Sequence, residues 1–476
     1  MVTSEAELRD LSDQAAHRIM NKQGTASGRR AGWMMISTIL IEAWDLYAIA
    51  FVMLFVQKSA GFGTNPWLVG LASAAVQLGA LLGCFAGGWV ADRFGRKKVF
   101  ITTMIMFIVL ALAQGFAQNF WQLIIIRFLL GFPLGSDISS GYAYIMEAMP
   151  RGKREVMGNR WQAMFAIGEV VAILVVLGLY LTGMDHDVLW RIALALGAVP
   201  ALTLLLGRLT ITDTALSLVQ RGKFRQAKQV SMKMFGDSLD MLPDQDFKIK
   251  RPSTMAFLRD LWKDPIRRRA SIFGWISNAA QGGEWGAFGF YLPSILAVAG
   301  AAKASENFIG YSLSNAIIYS LAIVSGVVGP MITPRIGHRG IAQWGFGMAF
   351  VSLLVAAFAV WANQPWLLLI SAAAMIWGHY WDASNGMTVT SMVAPTRYKG
   401  TASGFGYMFV KLAAFSTIFV FPAMKDAIGI PLTVLIMSSI SLAGFLAARY
   451  ILPEVYGYVE SEGQLVKENA AGTAAA

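Results

Sequence analysis

Charged side chains stand inside long apolar stretches of this 476-residue chain, where solubility cannot explain them. The carboxylates at such positions are Glu42, Asp45, Asp137, Glu169, Glu284 and Asp382. An ionised carboxylate in hydrocarbon costs on the order of a few kcal/mol unless a partner or a water-filled cavity compensates its charge. A carboxyl group in such a place can bind and release a proton. We therefore interpret these acids as candidate proton carriers.

Polar partners share helix faces with these acids. Positions three, four or seven residues apart lie on one side of an α-helix, which aligns Glu42 with Asp45 and Gln162 with Glu169. The same rule aligns Asp137 with Tyr144, Gln281 and Glu284 with Tyr291, His379 with Asp382, and Tyr407 with Lys411. In an alternative interpretation, some of the acids only hold helices together through Arg127, His379 or Lys411.

The elements that position these residues are predicted to be membrane helices. The chain is 56% hydrophobic and 14% charged, whereas a soluble protein of this size carries roughly a quarter charged residues. Apolar runs of about 20 residues, each long enough to cross a bilayer, fall at 33–56, 67–91, 99–117, 120–147, 159–182, 188–210, 270–298, 306–331, 340–362, 366–394, 400–424 and 429–452. This pattern predicts an all-α polytopic membrane protein with 12 transmembrane helices.

Basic residues give the chain a formal net charge of +11, and they cluster in alternate predicted loops, such as 93–98, 151–154 and 267–269. This asymmetry follows the positive-inside rule and predicts that both termini are cytoplasmic. Cations in such loops serve membrane topology, so we expect a lipid bilayer and no nucleic acid as a partner. The predicted location is the inner (plasma) membrane.

One loop carries a specific motif, Gly88-Trp-Val-Ala-Asp92-Arg93-Phe-Gly95-Arg96-Lys97-Lys98. Gly88 allows two helices to approach closely, and Gly95 permits a tight turn. Asp92 can pair with the arginines or cap a neighbouring helix N-terminus. The motif resembles the signature loop between helices 2 and 3 of the major facilitator superfamily. The resemblance implies a gating role for Gly88, Asp92, Arg93, Gly95, Arg96 and Lys97.

A weaker copy of this loop, Gly329 to Arg339, follows the eighth apolar run and carries Pro334 where the first copy has its aspartate. It adds Arg335 and Arg339 to the predicted gating motif. Two copies indicate the internal repeat of the superfamily, with two pseudo-symmetric six-helix bundles. The predicted segments are a leader (1–31), an N-terminal bundle (32–211), a cytoplasmic linker (212–269), a C-terminal bundle (270–452) and a cytoplasmic tail (453–476).

Further fragments resemble proton-coupled symporters. Residues 43–47 (Ala-Trp-Asp-Leu-Tyr), residues 127–137 and the stretch around Lys411 are similar to motifs of phosphate:proton symporters. That resemblance implies that Asp137 and Lys411 contact the anion or relay the proton, and that Asp45 lies on the proton path. Residues 144–152 are instead similar to a sugar-porter motif.

The candidate sites combine these observations with the superfamily architecture, in which helices 1, 4, 7 and 10 line the central cavity. The predicted substrate-binding residues are Lys411, Arg127, Gln162, Tyr144, Trp275, Gln281, Tyr291, His379 and Asn385. The predicted proton-coupling residues are Asp45, Glu42, Asp137, Glu169, Glu284 and Asp382.

We predict a secondary active transporter that takes up a small anionic metabolite, an organic acid or phosphate-like anion, by proton symport and alternating access. The alternative is proton symport of a neutral sugar or polyol, for which tryptophans and amides would supply the contacts and Lys411 would be structural. Protons are the coupling ion, and no other cofactor is expected. One chain contains both halves, so a monomer is predicted to function.

A membrane sensor is less favoured, because the polar tail from Pro453 is short and we expect no ordered structure in it. An enzyme is also disfavoured. The histidines, His17, His186, His338 and His379, are scattered, and we find neither a nucleophile–base pair nor metal-ligand spacing. We interpret His338 as a surface residue and His379 as the candidate site histidine.

Overall fold

The computed structural model of the protein describes residues 5–20, 32–148, 158, 160–249, 254–298, 307–395, 398–461 and 464–467. The basic cluster at 151–154 and the part of the 144–152 fragment beyond residue 148 lie outside the described residues. Six membrane helices form the N-terminal half: α1 (Thr38–Val56), α2 (Pro66–Phe94), α3 (Arg96–Gln114), α4 (Phe120–Ala148), α5 (Trp161–Leu181) and α6 (His186–Ala195 with Ala198–Arg208).

The C-terminal half repeats this arrangement with helices α7 to α12. Helix α7 begins as Pro265–Glu284, widens into a π-helix at Trp285–Gly289 and ends as Leu292–Val298. The remaining helices are α8 (308–336) and α9 (338–361) within Phe308–Trp361, α10 (Pro365–Val393), and α11 (399–428) and α12 (430–450) within Lys399–Tyr450. Gly337 (φ +75°) and Gly429 (φ +78°) make the breaks between these helix pairs, in a region that glycine enters without strain.

The described residues contain eight helices that are long and apolar enough to cross a membrane. Two of them, Phe308–Trp361 and Lys399–Tyr450, each contain two helices joined at a glycine. The more polar α7 and α10 complete the twelve, and they carry the buried Glu284, His379 and Asp382.

The two halves touch where α2 packs against α11 and where α5 packs against α8. A Cβ atom on Gly404 would lie 2.3 Å from the carbonyl oxygen of Cys84, and one on Gly326 would lie 2.9 Å from the backbone of Ala163. Glycine is needed at both positions because a larger residue would separate the backbones.

Short helices at one end of the bundle connect the halves. They are Ala215–Gln220, Phe224–Phe235 and Thr254–Lys263. The helix Glu5–Met20, in the predicted leader, packs on the first of them, and the Ser12 hydroxyl donates to the carbonyl oxygen of Val219 over 3.3 Å.

The expectation that no ordered structure follows Pro453 is wrong for the described part of the tail. Strands β1 (Tyr458–Ser461) and β2 (Gln464–Lys467) form an antiparallel hairpin. Leu465 is buried in a small apolar cluster that includes Ala270 of α7. This buried contact helps to offset the entropy lost on ordering the hairpin.

Candidate functional site

An ion pair between α1 and α4 lies inside the N-terminal half. Arg127 Nη2 is 3.1 Å from Asp45 Oδ2. Arg127 also donates to Gln114 Oε1 (2.9 Å) and to the carbonyl oxygen of Ala72 (2.8 Å). Gln114 Nε2 in turn donates to Asp45 Oδ1 over 3.1 Å. A proton on Asp45 would leave the buried guanidinium of Arg127 without its counter-charge, so protonation would change the balance of forces between α1 and α4.

A second ion pair joins α4 to α6. Arg208 Nη1 donates to Asp137 Oδ1 over 2.6 Å, and the Thr103 hydroxyl of α3 donates to the same oxygen over 2.9 Å. Arg208 also donates to the Thr38 hydroxyl at the start of α1. These contacts all lie within the N-terminal half.

A third ion pair links the two halves. The Lys411 ammonium on α11 contacts the Glu42 carboxylate on α1, and both side chains are buried. The Tyr407 ring, one turn earlier on α11, lies 4.8 Å from Lys411 Nζ, and the Tyr407 hydroxyl lies 3.5 Å from Glu42 Oε2.

The basic side chains among the predicted substrate-binding residues, Lys411, Arg127 and His379, therefore all contact a carboxylate. Lys411 contacts Glu42 and Arg127 contacts Asp45. His379 Nδ1 lies 2.6 Å from Glu284 Oε1. An anionic ligand would have to displace a carboxylate from any of these three groups, and this geometry disfavours an anion site built on them.

Aromatic side chains from both halves meet around the carboxylate of Glu169, and together with it they form what we call the central aromatic cluster. Its members are Tyr47, Phe165, Glu169, Trp285, Tyr319 and Tyr380. The Tyr47 ring packs edge-on against Tyr319 and Trp285, with centroids 4.9 and 6.1 Å away. Trp285 Nε1 donates to the Tyr47 hydroxyl over 3.2 Å. The Tyr380 hydroxyl of α10 donates to Glu169 Oε2 of α5 over 2.6 Å, so this contact crosses between the halves.

A separate group of ionisable side chains lies inside the C-terminal half. Ser441 of α12 donates to Glu284, whose other oxygen faces His379. One ligand atom each from Glu284, His379 and Asp382 lie within 4.8 Å of one another. Neither carboxylate oxygen of Asp382 receives a hydrogen bond from a donor among the described residues.

Several predicted substrate-binding residues have partners within their own half or directly next to it in the chain. The Tyr144 hydroxyl donates to the carbonyl oxygen of Thr212 over 3.2 Å, and the Tyr291 hydroxyl donates to the carbonyl oxygen of Ile418 over 2.7 Å. Asn385 Oδ1 lies 2.7 Å from His338 Nδ1. The Trp275 ring stacks on the Phe409 ring. Gln162 instead reaches across the halves to the carbonyl oxygen of Ala383 (3.4 Å). Gln281 is half-buried on α7.

The signature loop contacts the beginning of α11 in the other half. Asp92 Oδ2 accepts hydrogen bonds from the backbone N–H and the hydroxyl of Thr401, over 3.0 and 2.9 Å. A carboxylate at a helix N-terminus is stabilised by the unpaired N–H groups and the helix dipole. A Cβ on Gly88 would lie 2.6 Å from the carbonyl oxygen of Gly400. Arg93 points outward and is exposed.

The other residues of this loop bind within the N-terminal half. Arg96 Nη2 lies 2.5 Å from Glu147 Oε1, and the two residues tie α3 to the end of α4. Gly95 has a φ of +103°, which allows the abrupt turn between α2 and α3. The backbone N–H of Lys97 donates to Asp213 Oδ1 over 2.9 Å, so an acid that follows α6 caps the beginning of α3.

In the second copy of the loop, Glu454 supplies the acid. Its two carboxylate oxygens accept from the backbone N–H groups of His338 and Arg339, each over 3.1 Å. An acid that follows α12 therefore caps α9, as Asp213 caps α3. Arg335 is exposed. The interpretation of His338 as a surface residue is wrong: its side chain is buried, because the loop turns it inward toward α10.

The halves also contact each other at the end opposite the signature loop. Phe308 of α8 packs against Phe55 of α1 and Tyr180 of α5, with ring centroids 5.3 and 4.5 Å apart. The central aromatic cluster is thus enclosed from both ends.

Sequence reasoning missed several members of these networks: Gln114, Phe165, Arg208, Tyr319, Tyr380 and Ser441. Gln114 and Arg208 carried the same signal as the acids, a polar side chain within a predicted apolar run. Tyr319 and Tyr380 carried no such signal, because aromatic residues are common in membrane helices.

Comparison with known proteins adds to this geometry. A family model described as "Sugar (and other) transporter" matches residues 32–459. The Probable metabolite transport protein CsbC of Bacillus subtilis is 26% identical over 433 residues, which cover 88% of this chain and 90% of that protein. The Major myo-inositol transporter IolT of the same organism is 25% identical over 450 residues, covering 92% and 94%. An Arabinose-proton symporter of Bacillus subtilis is 23% identical over 403 residues, covering 83% and 85%.

Among solved structures, the chain is similar to the xylose transporter XylE from E. coli in a partially occluded inward-open conformation. The TM-score is 0.74 at 16% sequence identity, and the match covers 90% of this chain and 99% of that one. The likeness confirms the predicted twelve-helix fold.

Proposed function

The chain belongs to the sugar (and other) transporter family of the major facilitator superfamily, and on this basis we propose that it takes up a neutral sugar or polyol by proton symport. It is a multi-pass membrane transporter and not an enzyme. Relatives named as a myo-inositol transporter and an arabinose-proton symporter support a neutral polyhydroxylated cargo. They favour the alternative sequence prediction over the anionic metabolite, for which the comparisons give no support.

The observation that carries this choice is the pairing of buried charges. Lys411, Arg127 and His379 each contact a carboxylate, so binding an anion there would break an existing pair. Breaking a buried ion pair by removing one partner costs about 3–5 kcal/mol. A neutral ligand avoids this cost.

The central aromatic cluster is the substrate site that we propose. Tyr47, Trp285 and Tyr380 offer apolar ring faces together with hydrogen-bonding groups, as sites for small polar ligands do. The Glu169 carboxylate accepts from Tyr380 through one oxygen, which leaves the other oxygen to accept a sugar hydroxyl. Because the cluster draws on both halves, a bound sugar would connect them.

Asp45 and Arg127 are the proton-coupling pair in this proposal. Protonation of Asp45 would release Arg127 from its counter-charge and favour a different packing of α1 against α4. The ionised pair stabilises the arrangement described here. Proton binding therefore shifts the population between states and couples to sugar binding.

Alternating access would follow from the contacts at the two ends. The Asp92–Thr401 contact would open for one state, and the packing of Phe308 on Phe55 and Tyr180 would open for the other, while the halves rock around the central site. We place the signature-loop end and both termini in the cytoplasm, following the distribution of basic loops. The halves are residues 32–211 and 270–452, and one chain suffices for transport.

The test uses liposomes that contain the purified protein and a pH-sensitive dye. Pentoses, hexoses and myo-inositol are added singly and compared with phosphate and short carboxylates. Internal acidification by a neutral compound, and by none of the anions, is expected. Acidification by anions alone would overturn the proposal and indicate proton symport of an anionic metabolite.

A matched pair of tyrosine variants tests the site. Tyr380→Phe removes the hydroxyl that bonds Glu169, and Tyr291→Phe removes one that bonds the Ile418 backbone outside the cluster. Only Tyr380→Phe is expected to weaken the apparent sugar affinity, by about tenfold, since an unmatched buried polar group costs roughly 1–3 kcal/mol. Equal effects of the two variants would place the site elsewhere.

A further inference from the structure

The C-terminal half brings together three potential metal ligands that are separated in sequence. Glu284 lies at the end of the regular part of α7, and His379 and Asp382 lie one turn apart on α10. One ligand atom from each lies within 4.8 Å of the others, and all three side chains are buried. The group borders the central aromatic cluster, because the His379 ring packs edge-on against Tyr380 with centroids 5.5 Å apart. Its further partner, Ser441, belongs to α12 of the same half.

The charge balance of this group differs from that of the buried acids in the N-terminal half. Asp45, Asp137 and Glu42 each contact an arginine or a lysine. Glu284 and Asp382 instead lie beside each other, and the basic group that contacts Glu284 is a histidine. Two ionised carboxylates in apolar surroundings repel each other strongly unless a positive charge lies between them.

Asp382 gives an independent indication of a missing partner. Its side chain is fully buried, and neither of its oxygens receives a hydrogen bond from the described residues. A buried carboxylate is normally paired, hydrogen-bonded or bound to a metal. Asp382 therefore presents two unused acceptor atoms to a group that already contains a carboxylate and an imidazole.

We propose that Glu284, His379 and Asp382 bind a divalent first-row transition-metal ion within the C-terminal half. Two carboxylates and a neutral imidazole balance a doubly charged ion to zero net charge. A mixed nitrogen and oxygen ligand set suits Zn²⁺ or Mn²⁺, whereas Mg²⁺ and Ca²⁺ prefer oxygen ligands alone. The hydroxyl of Ser441 orients Glu284, as hydrogen-bonded neighbours commonly orient metal ligands.

The bound ion would clamp α7 and α10 together inside one half. This role is independent of the sugar and replaces, for Glu284 and Asp382, the proton-coupling role predicted from sequence. Protons on the same side chains could balance their charge instead, and the experiment distinguishes the two sources of positive charge.

The experiment titrates chelator-treated, full-length protein in detergent with Zn²⁺ and, separately, with Mn²⁺, using calorimetry in the absence of sugar. One ion per chain is expected for the wild type. Asp382→Asn and His379→Gln are each expected to weaken binding by at least tenfold, because even neighbours of metal ligands are typically worth 10–100-fold in affinity. His17→Gln, which changes an exposed histidine, controls for adventitious surface binding and should bind as the wild type does.

Thermal unfolding in detergent shows whether each variant is folded and gives a second readout. The metal should raise the unfolding midpoint of the wild type and of His17→Gln, but not that of Asp382→Asn, since an ion stabilises only the fold that binds it. Absence of stoichiometric binding by the folded wild type would overturn the proposal and leave the cluster balanced by protons. Equal binding by Asp382→Asn would also overturn it. Neither result depends on sugar transport, so the proposed function is tested separately.

Discussion

Removal of one charge from the Glu42–Lys411 pair tests how strongly the two halves are held together. Only 2% of the Lys411 side chain and 4% of the Glu42 side chain are exposed. Glu42→Gln preserves the size of the side chain but leaves the Lys411 ammonium buried without its counter-charge. Such a change costs about 3–5 kcal/mol, whereas removal of both charges is often nearly neutral.

The expected effect can be measured as a change in Tm of the purified protein in detergent. An unfolding entropy of ~2.1 cal/mol/K per residue gives about 1 kcal/mol/K for the 476 residues. Glu42→Gln and Lys411→Met should each lower the Tm by about 3–5 °C. The double variant should recover most of this loss, because neither charge is then left unpaired.

An exposed ion pair provides the control for this cycle. Lys425 and Asp426 are 3.5 Å apart, with side chains 37% and 55% exposed, and such pairs are worth about 0–1 kcal/mol. Asp426→Asn should therefore change the Tm by no more than about 1 °C. Additive losses in the Glu42→Gln/Lys411→Met double variant would refute the reasoning, since they would mean that the two charges do not interact.

Three further variants test the other contacts. Asp45→Asn should abolish sugar accumulation driven by a pH gradient while sugar counterflow persists, because the partner of Arg127 can then no longer carry a proton or a charge; undiminished accumulation would exclude Asp45 as the coupling group. Asp92→Ala removes the acceptor for two hydrogen bonds from Thr401, so maleimide should label the buried Cys84 several-fold faster as that end opens. An unchanged labelling rate would argue against this contact as a gate. Gly326→Leu should slow transport at least tenfold, since its Cβ would lie 2.9 Å from a backbone atom across the α5–α8 contact; wild-type rates would contradict the close packing.

The membrane helices were predictable because burial in lipid demands a long apolar run, and that demand is written in consecutive residues. The partner of each buried charge was not predictable from the sequence. Arg127 lies 82 positions from Asp45 in the chain, and Lys411 lies 369 from Glu42. Only the packing of helices decides which of several acids a base meets, and a linear pattern does not contain that choice.

Helix α7 shows a second reason for the limits of sequence reasoning. The rule of seven-residue spacing put Glu284 and Tyr291 on one face. In the structure Glu284 faces α10 and α12, while Tyr291 donates to Ile418 of α11. The rule assumes an uninterrupted α-helix, and the π-helix between the two residues breaks that assumption. His338 was misjudged for a different reason: its loop is capped by Glu454, more than a hundred residues away, and a local pattern does not contain that contact.

The π-helix at Trp285–Gly289 also has a consequence for how this chain can vary. The Phe290 N–H donates to the carbonyl oxygen of Trp285, five residues back, over 2.7 Å, so this turn holds one residue more than an α-helical turn. Removal of a single residue here could restore the regular helix and leave everything beyond in its present orientation relative to Glu284, because the residue removed is the extra one of the π-turn. A change of length usually disrupts the packing of a membrane helix, but α7 can accept the loss of one residue at this π-turn. A deletion there would leave Tyr291 and its neighbours facing as they do now, whereas a deletion in the regular part of α7 would turn them by about 100°.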